Sequence, residues 1–341
     1  MIKRNYSKKK LFLYTGFTLL FFLSIGVGYT LNLYNKTEDI VTDSHQEVGR
    51  DNEISQLREE GVDPVDPVED NVSVLFIGID NSEIRDYEDG SRSDALLLAT
   101  FNKEKSSVKL LSIPRDSYVY VPEIGYFTKI NHAHFYGGPK ATIETVEEFF
   151  HVPVDYFVRV NFDAFIDVVD SLGGITYDVP YEMQEMNSDD TENAIHLYPG
   201  AQNLTGEEAL ALARTRKYDS DIERGERQQE IIKTIAKKAT SASSIFKLEE
   251  VIDAVGANMN TNLTFNEMKS FLSYGLDTNV NIETVNLIGD GKFKEDDLWY
   301  FEVDEYSRSQ VQTELREHLS LPNTINEASD FADGAEEDTP Y

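Results

Sequence analysis

The chain of 341 residues contains no cysteine. That excludes disulfides, thiolate metal sites and a cysteine nucleophile. Positive charge is scarce: 31 lysines and arginines face 62 aspartates and glutamates, a formal net charge of −31. Nucleic acid is excluded as a partner, because a phosphate backbone needs a basic face, and so is electrostatic docking on anionic lipid. No Gly-x-x-x-x-Gly-Lys phosphate loop, Gly-x-Ser-x-Gly elbow or His-Glu-x-x-His pair occurs. Internal repeats are absent. His132 and His134 stand two residues apart with no third ligand marked, a poor pattern for zinc.

One long run lacks charge altogether. Residues 11–34 carry no charged side chain, and that length exceeds the roughly 20 residues a helix needs to span a bilayer. Lys3, Arg4, Lys8, Lys9 and Lys10 precede it, which places the N-terminus in the cytoplasm. A cleaved leader would have a shorter apolar stretch, about 7–15 residues. The expectation is a basic cytoplasmic tail over 1–10 and an uncleaved signal-anchor over 11–34 in the cell membrane. Everything beyond is then extracellular, with 26 basic residues against 62 acidic ones. Residues 35–71 read as a stalk, ending in an acidic, proline-stiffened linker around Pro64 and Pro67. A compact domain is expected over 72–321, followed by an acidic disordered tail over 322–341.

Within the domain, Val74–Ile79, Ala95–Phe101, Val108–Ile113 and Val154–Val160 read as strands. Ala141–Phe150 and Phe162–Leu172 read as helices, Gly173-Gly174 as a break and Ile175–Val179 as a further strand. Two helices, one strand and a loop are expected between Ser241 and Leu321. Alternating helices and strands predict a layered α/β or α+β domain.

Six of the thirteen arginines lie in three short clusters that also hold aspartates. These are Ser91-Arg92-Ser93-Asp94, Ile113-Pro114-Arg115-Asp116, and Arg214-Thr215-Arg216 followed by Arg224-Gly225-Glu226-Arg227-Gln228. A planar guanidinium forks onto phosphate oxygens, and several converging forks suit a diphosphate. Aspartates beside them offer oxygen ligands to a hard divalent cation such as Mg2+. Ser220-x-x-Glu223 has the spacing of a capping box and predicts a helix start. On that helix Arg224, Gln228, Ile231 and Ile235 share one stripe, with Arg227 on its flank. The isoleucines must face the core, so Arg224 and Gln228 point inward. A buried arginine needs an anion, either a structural carboxylate or a ligand. Arg214 and Arg216 point the same way if the stretch from Leu204 is extended. Asp80 and Asp94 stand at ends of apolar runs, where strand ends face clefts.

The order of these motifs resembles the LytR-CpsA-Psr family of bacterial cell-wall proteins. The resemblance rests on Ile77-Gly78-Ile79-Asp80, Ser91-Arg92-Ser93-Asp94, Ser112-Ile113-Pro114-Arg115-Asp116, Lys129-Ile130-Asn131, Gly137-Gly138-Pro139 and Leu172-Gly173-Gly174. It continues through Gly206–Arg216 and Arg224-x-x-Arg227-Gln228-Gln229, and so covers about Val72 to Thr240. It implies an α/β fold with an α-β-α layered, mixed central sheet behind a single N-terminal transmembrane helix. It also implies a phosphotransferase that moves an anionic glycopolymer, a teichoic acid or capsule-like chain, from a polyprenyl diphosphate carrier to a muramic acid hydroxyl of peptidoglycan. By that resemblance Asp80 and Asp94 hold Mg2+ or Mn2+. Arg92, Arg115, Arg214, Arg216, Arg224 and Gln228 hold the diphosphate, and Asp94, Arg115 and Arg216 carry the catalysis. A polyprenyl diphosphate hydrolase and a non-enzymatic, membrane-anchored regulator of the envelope are the alternatives. The stretch between Asp80 and Arg92 departs from the family by being acidic (Glu83, Asp86, Glu88, Asp89).

Overall fold

The computed structural model describes residues 39–40, 42–50, 53–58, 65–67, 69–79, 91–215, 217, 221–239, 258–276 and 280–322. The expected membrane span over 11–34 and the acidic tail from 323 lie outside these residues. Among the described residues no helix is long and apolar enough to cross a membrane.

A six-stranded mixed sheet forms the centre, in the order β11-β6-β1-β2-β3-β12. β1 (Val72–Ile79) pairs antiparallel with β2 (Ser93–Asn102), and β2 antiparallel with β3 (Ser107–Ile113). β6 (Tyr156–Asn161) lies parallel to β1, and β12 (Asn281–Val285) parallel to β3. β11 (Met259–Thr261) closes the edge, antiparallel to β6.

Side chains alternate across the pleat, and both faces are covered. Leu75, Ile77, Leu96, Leu98, Leu111 and Ile113 pack on one side with α1 (Asn131–Phe150) and α6 (Glu305–His318). Leu97, Ala99, Val108, Leu110 and Phe76 take the other side, under α4 (Asp221–Ala239) and α5 (Phe265–Leu276). The α-β-α layering with a mixed sheet expected from the resemblance is therefore present. A smaller core joins α2 (Phe162–Ser171), α3 (Gly206–Arg214) and the ribbon of β7 (Ile175–Val179) with β10 (Gly200–Leu204).

Several expectations need correction. The stretch before Arg214 is not extended: Thr205 caps α3 through a reciprocal box with Glu208, so Arg214 ends a helix. The region after 258 holds β13 (Gly289–Phe293) and β14 (Trp299–Val303) besides β11 and β12. β13 is exposed along nearly its whole length, so it has no apolar alternation to read. Short ribbons β4 (Tyr118–Val121) with β5 (Tyr126–Lys129), and β8 (Met183–Glu185) with β9 (Ile195–Leu197), were not foreseen either. The helix read over Ala141–Phe150 starts ten residues earlier and is kinked at Gly137 and Gly138, whose φ/ψ values are non-helical.

The described residues of 42–71 are docked on the domain rather than standing off it. Val48 enters the main core. Arg58 donates to both carboxylate oxygens of the buried Asp155, at 2.9 and 2.5 Å, and to the Asn71 carbonyl. Arg50 donates to Glu147 and to the Val154 carbonyl. From the other end of the chain, Arg308 donates to the Phe149 carbonyl and Arg316 to those of His151 and Pro322. The segments carrying Arg50 and Arg58 and the helix α6 are thus both pinned to the corner where α1 passes into β6.

His318 closes α6 onto the sheet. One ring nitrogen lies 2.8 Å from Thr100 Oγ1 and the other 2.8 Å from Ser107 Oγ. Burial, reinforced by Lys109 and Lys105, pushes its pKa down to about 4. The unfolded chain takes up this proton near pH 6.5. Acid therefore favours the unfolded chain between about pH 6.5 and 4, and His318 ceases to destabilise above that window. Urea melts at pH 7.5 and 5.0 should show a larger loss of stability for the wild type than for His318→Gln.

Candidate active site

The arginine clusters converge because two local devices aim them. The first is a β-bulge. Gly78 pairs with Ala95 and Ile79 with Ser93, so Asp94 is an extra residue outside the ladder. A bulge re-aims the side chain it carries, and Asp94 turns to a cavity on the face of the sheet under α4. The second device is Gly225, where a Cβ would stand 3.0 Å from Ser112 Oγ. Its missing side chain lets the first turns of α4 approach β3, and the buried Arg224 follows it inward.

The cavity has a volume of about 390 Å³ and lies between the sheet and α2, α3 and α4. Its charged and polar lining is Asp94, Arg115, Arg214, Arg224, Gln228 and Asn161. Phe76, Leu97, Phe162, Phe165, Leu210, Ile231 and Ile232 supply an apolar remainder. Gly78 and Ala95 keep the floor low, a Cβ on Gly78 standing only 3.2 Å from that of Ala95. Arg115 forms an ion pair with Asp94 and lies 3.7 Å from Asp116. The Arg214 guanidinium stacks 4.4 Å from the centre of the Phe162 ring. Gln228 donates to the Ala213 carbonyl at 3.1 Å, tying α4 to the end of α3.

Of the expected site residues, Asp94, Arg115, Arg214, Arg224 and Gln228 share this one cavity. Arg92 instead lines an adjoining cavity of about 250 Å³, with Lys129, Asn131, His132, Asp116 and Leu298. Arg115 lines both, so the two are neighbours across one side chain. Asp80 and Arg216 lie outside the described residues, as does the capping Ser220. Lys129 and the apolar lining were not singled out from the sequence, and His132 was weighed there only as a poor zinc ligand. Lys129 and Asn131 did stand in a quoted motif, and the alternation of Phe76 with Gly78 marks the wall, but nothing in either names a cavity. Lys129 pairs with Asp116 at 2.8 Å. His132 lies 2.8 Å from Thr128 Oγ1, and burial, with the charges of Arg92 and Lys129, lowers its pKa.

Arg227 has a different task from its neighbour Arg224. It is buried, and it donates to the Leu212 carbonyl at 2.7 Å, the Thr215 carbonyl at 2.9 Å and the Tyr181 hydroxyl at 3.1 Å. It fastens the end of α3 and the residue after Arg214.

An apolar chamber with a cluster of guanidinium groups and a carboxylate at its polar part suits an amphiphilic phosphate. The LytR_cpsA_psr family model matches residues 29–317, and the chain belongs to that family. A teichoic acid transferase of Bacillus subtilis, TagT, is 39% identical over 75% of this chain and 79% of its own. An uncharacterised protein of Staphylococcus aureus is 44% identical over 87% of this chain and 73% of its own. The fold superposes with a TM-score of 0.65 on a solved TagT structure with bound octaprenyl pyrophosphate lipid. That structure is 33% identical, with 81% of this chain and all of the other covered.

Replacing Arg227 with alanine leaves the Leu212 and Thr215 carbonyls without this donor, an expected loss on the order of 3 kcal/mol. A thermal melt should show a clear drop in Tm for Arg227→Ala, without any ligand present.

Proposed function

We propose that the chain is a phosphotransferase that moves an anionic glycopolymer of teichoic acid type from a polyprenyl diphosphate carrier to a hydroxyl of peptidoglycan. The observation that carries this reading is the joining of Arg115, Arg214, Arg224 and Asp94 with an apolar chamber in one cavity. A diphosphate is met by the guanidinium forks, and the first isoprene units are met by Phe162, Phe165, Leu210 and Ile231. Phosphoryl transfer demands positioning and neutralised charge rather than covalent help from the protein. The acceptor hydroxyl oxygen attacks the phosphorus that bears the polymer, and the bond from that phosphorus to the bridging oxygen breaks. Polyprenyl phosphate departs with the electron pair, and the hydroxyl proton is lost to solvent. Arg115, Arg214 and Arg224 bear the charge that gathers on the leaving phosphate. The relatives' names and the bound lipid pyrophosphate of the TagT structure support this reading.

The donor set fits a divalent cation of the Mg2+ kind. Asp94 presents carboxylate oxygens to the cavity beside Arg115. Mg2+ suits such a sparse site, because it is bound by one or two carboxylates plus phosphate oxygens. Asp94, with Asp80, would hold it, and its chemistry there is neutralisation of diphosphate charge. Anchoring through residues 11–34 with the domain outside the cell belongs to the same reading; protease added to intact protoplasts should degrade the domain.

Arg224→Ala should weaken binding of a polyprenyl diphosphate about 10- to 100-fold, the worth of a charge-assisted hydrogen bond. Titration of the purified domain with that lipid checks it, and an unchanged affinity would remove Arg224 from the diphosphate site. Asp94→Ala, or excess chelator, should abolish transfer of labelled polymer to peptidoglycan. Release of the polymer without acceptor would instead mark a hydrolase.

A further inference from the structure

The second cavity opens beside an aromatic surface that the phosphate chemistry does not use. On the β4–β5 ribbon, Tyr118 stands opposite Lys129 and Tyr120 opposite Phe127. Partners across a ladder and residues two apart share a face, so these four side chains lie on one side. Lys129 lines the second cavity, and from it the rings run outward. Phe127 stacks on Tyr118 at 5.4 Å and meets Tyr120 edge-on at 5.5 Å. Phe127 is 56% exposed and Tyr120 38%. Exposed rings held in such order mark an interaction surface rather than a stray apolar residue.

Two further observations identify the partner's chemistry. Between Ser117 and Thr128 the only charged residue is Glu123. The two cations that border this strip, Lys129 below the rings and Lys294 over Tyr118, are paired with Asp116 and Glu302, so a polyphosphate chain or an anionic bilayer would find no unpaired cation along it among the described residues. Next, Asn131 is buried in the second cavity with its Oδ1 accepting no hydrogen bond. A buried acceptor calls for a donor such as a hydroxyl or an amide N–H. Uncharged amino sugars combine these features: a pyranose packs the C–H bonds of one face on an aromatic ring, and its hydroxyl and acetamido groups donate at its edge.

We propose that the second cavity and the ribbon face of Tyr120 and Phe127 bind the glycan backbone of the acceptor, an N-acetylhexosamine strand. This deepens the transferase reading and rests on it. A sugar on Phe127 leads toward Asn131 and on to Arg115, the side chain shared with the diphosphate cavity. The acceptor then approaches from one side of Arg115 and the carrier from the other. The polymer being transferred leaves by a route other than the ribbon.

The test uses the purified domain without donor. Saturation-transfer NMR with a chitin hexasaccharide, an uncharged strand of N-acetylglucosamine, should give binding that Phe127→Ala and Tyr120→Ala each weaken about tenfold. Asn131→Ala should weaken it too. Both ring substitutions are at exposed positions, and unchanged melting curves will certify their folds. Affinity for polyprenyl diphosphate should stay the same in the ring variants, while the KM for peptidoglycan rises about tenfold. Hexasaccharide binding that survives the double ring variant overturns the proposal. So does competition by poly(glycerol phosphate) that the ring substitutions abolish, which would assign the strip to the donor polymer. Loss of binding to phosphatidylglycerol vesicles in the same variants, with hexasaccharide binding intact, would assign it to the membrane. Because the hexasaccharide arm needs no transfer, failure of the transferase reading leaves its own separate signature.

Discussion

The site depends on one irregularity in an otherwise regular ladder. Were Asp94 paired in register, it would take its place in the alternation of β2, between Ser93 and Ala95. The bulge removes it from that alternation and presents its carboxylate to Arg115. Arg115 in turn closes one cavity and opens the next. A guanidinium has five N–H donors, so the pairing with Asp94 and Asp116 holds Arg115 in place and leaves it donors for further oxygens. Everything else in the site converges on this pair: α4 is brought to the sheet at Gly225, and α3 delivers Arg214 at its last residue.

Much of this was legible in the sequence for a physical reason. Buried strands of a covered sheet are apolar runs, so β1, β2 and β3 announced themselves, and the stripe of Arg224, Gln228 and Ile231 placed an arginine inward before any coordinate did. Arg224 and Arg227 were harder to separate. They differ by only three residues on one helix, and what distinguishes them is the two carbonyls and one hydroxyl that meet Arg227 from α3 and Tyr181. Those partners are distant in sequence and carry no pattern. The exposed strand β13 was invisible because a strand with no buried face has no periodicity. The kinked start of α1 hid behind Gly137 and Gly138, which read as a loop while the chain there remains helical on either side of them.

Most of the described arginines fall into two working groups. One group lines the cavities. The other, Arg50, Arg58, Arg227, Arg308 and Arg316, donates to backbone carbonyls of other segments. A fold with no cysteine joins its distant segments in this way, through groups that stay charged at any ordinary pH. Lysine could not replace them, since one ammonium lacks the planar fork that reaches two acceptors at once.

The docking of residues 42–71 and of α6 at one corner gives the domain a polarity. The chain enters β1 beside Ser320, where Asn71 donates to its hydroxyl at 2.9 Å. Gly78 and the bulge lie at the far end of β1, about 20 Å away at the rise of an extended strand. Residues 42–71 and 305–322 therefore gather at one pole of the domain, and the cavity lies toward the other. Any attachment made through residues 42–71 would join the domain on the side away from the mouth of the cavity, and its length would set how far the cavity stands from whatever it is attached to.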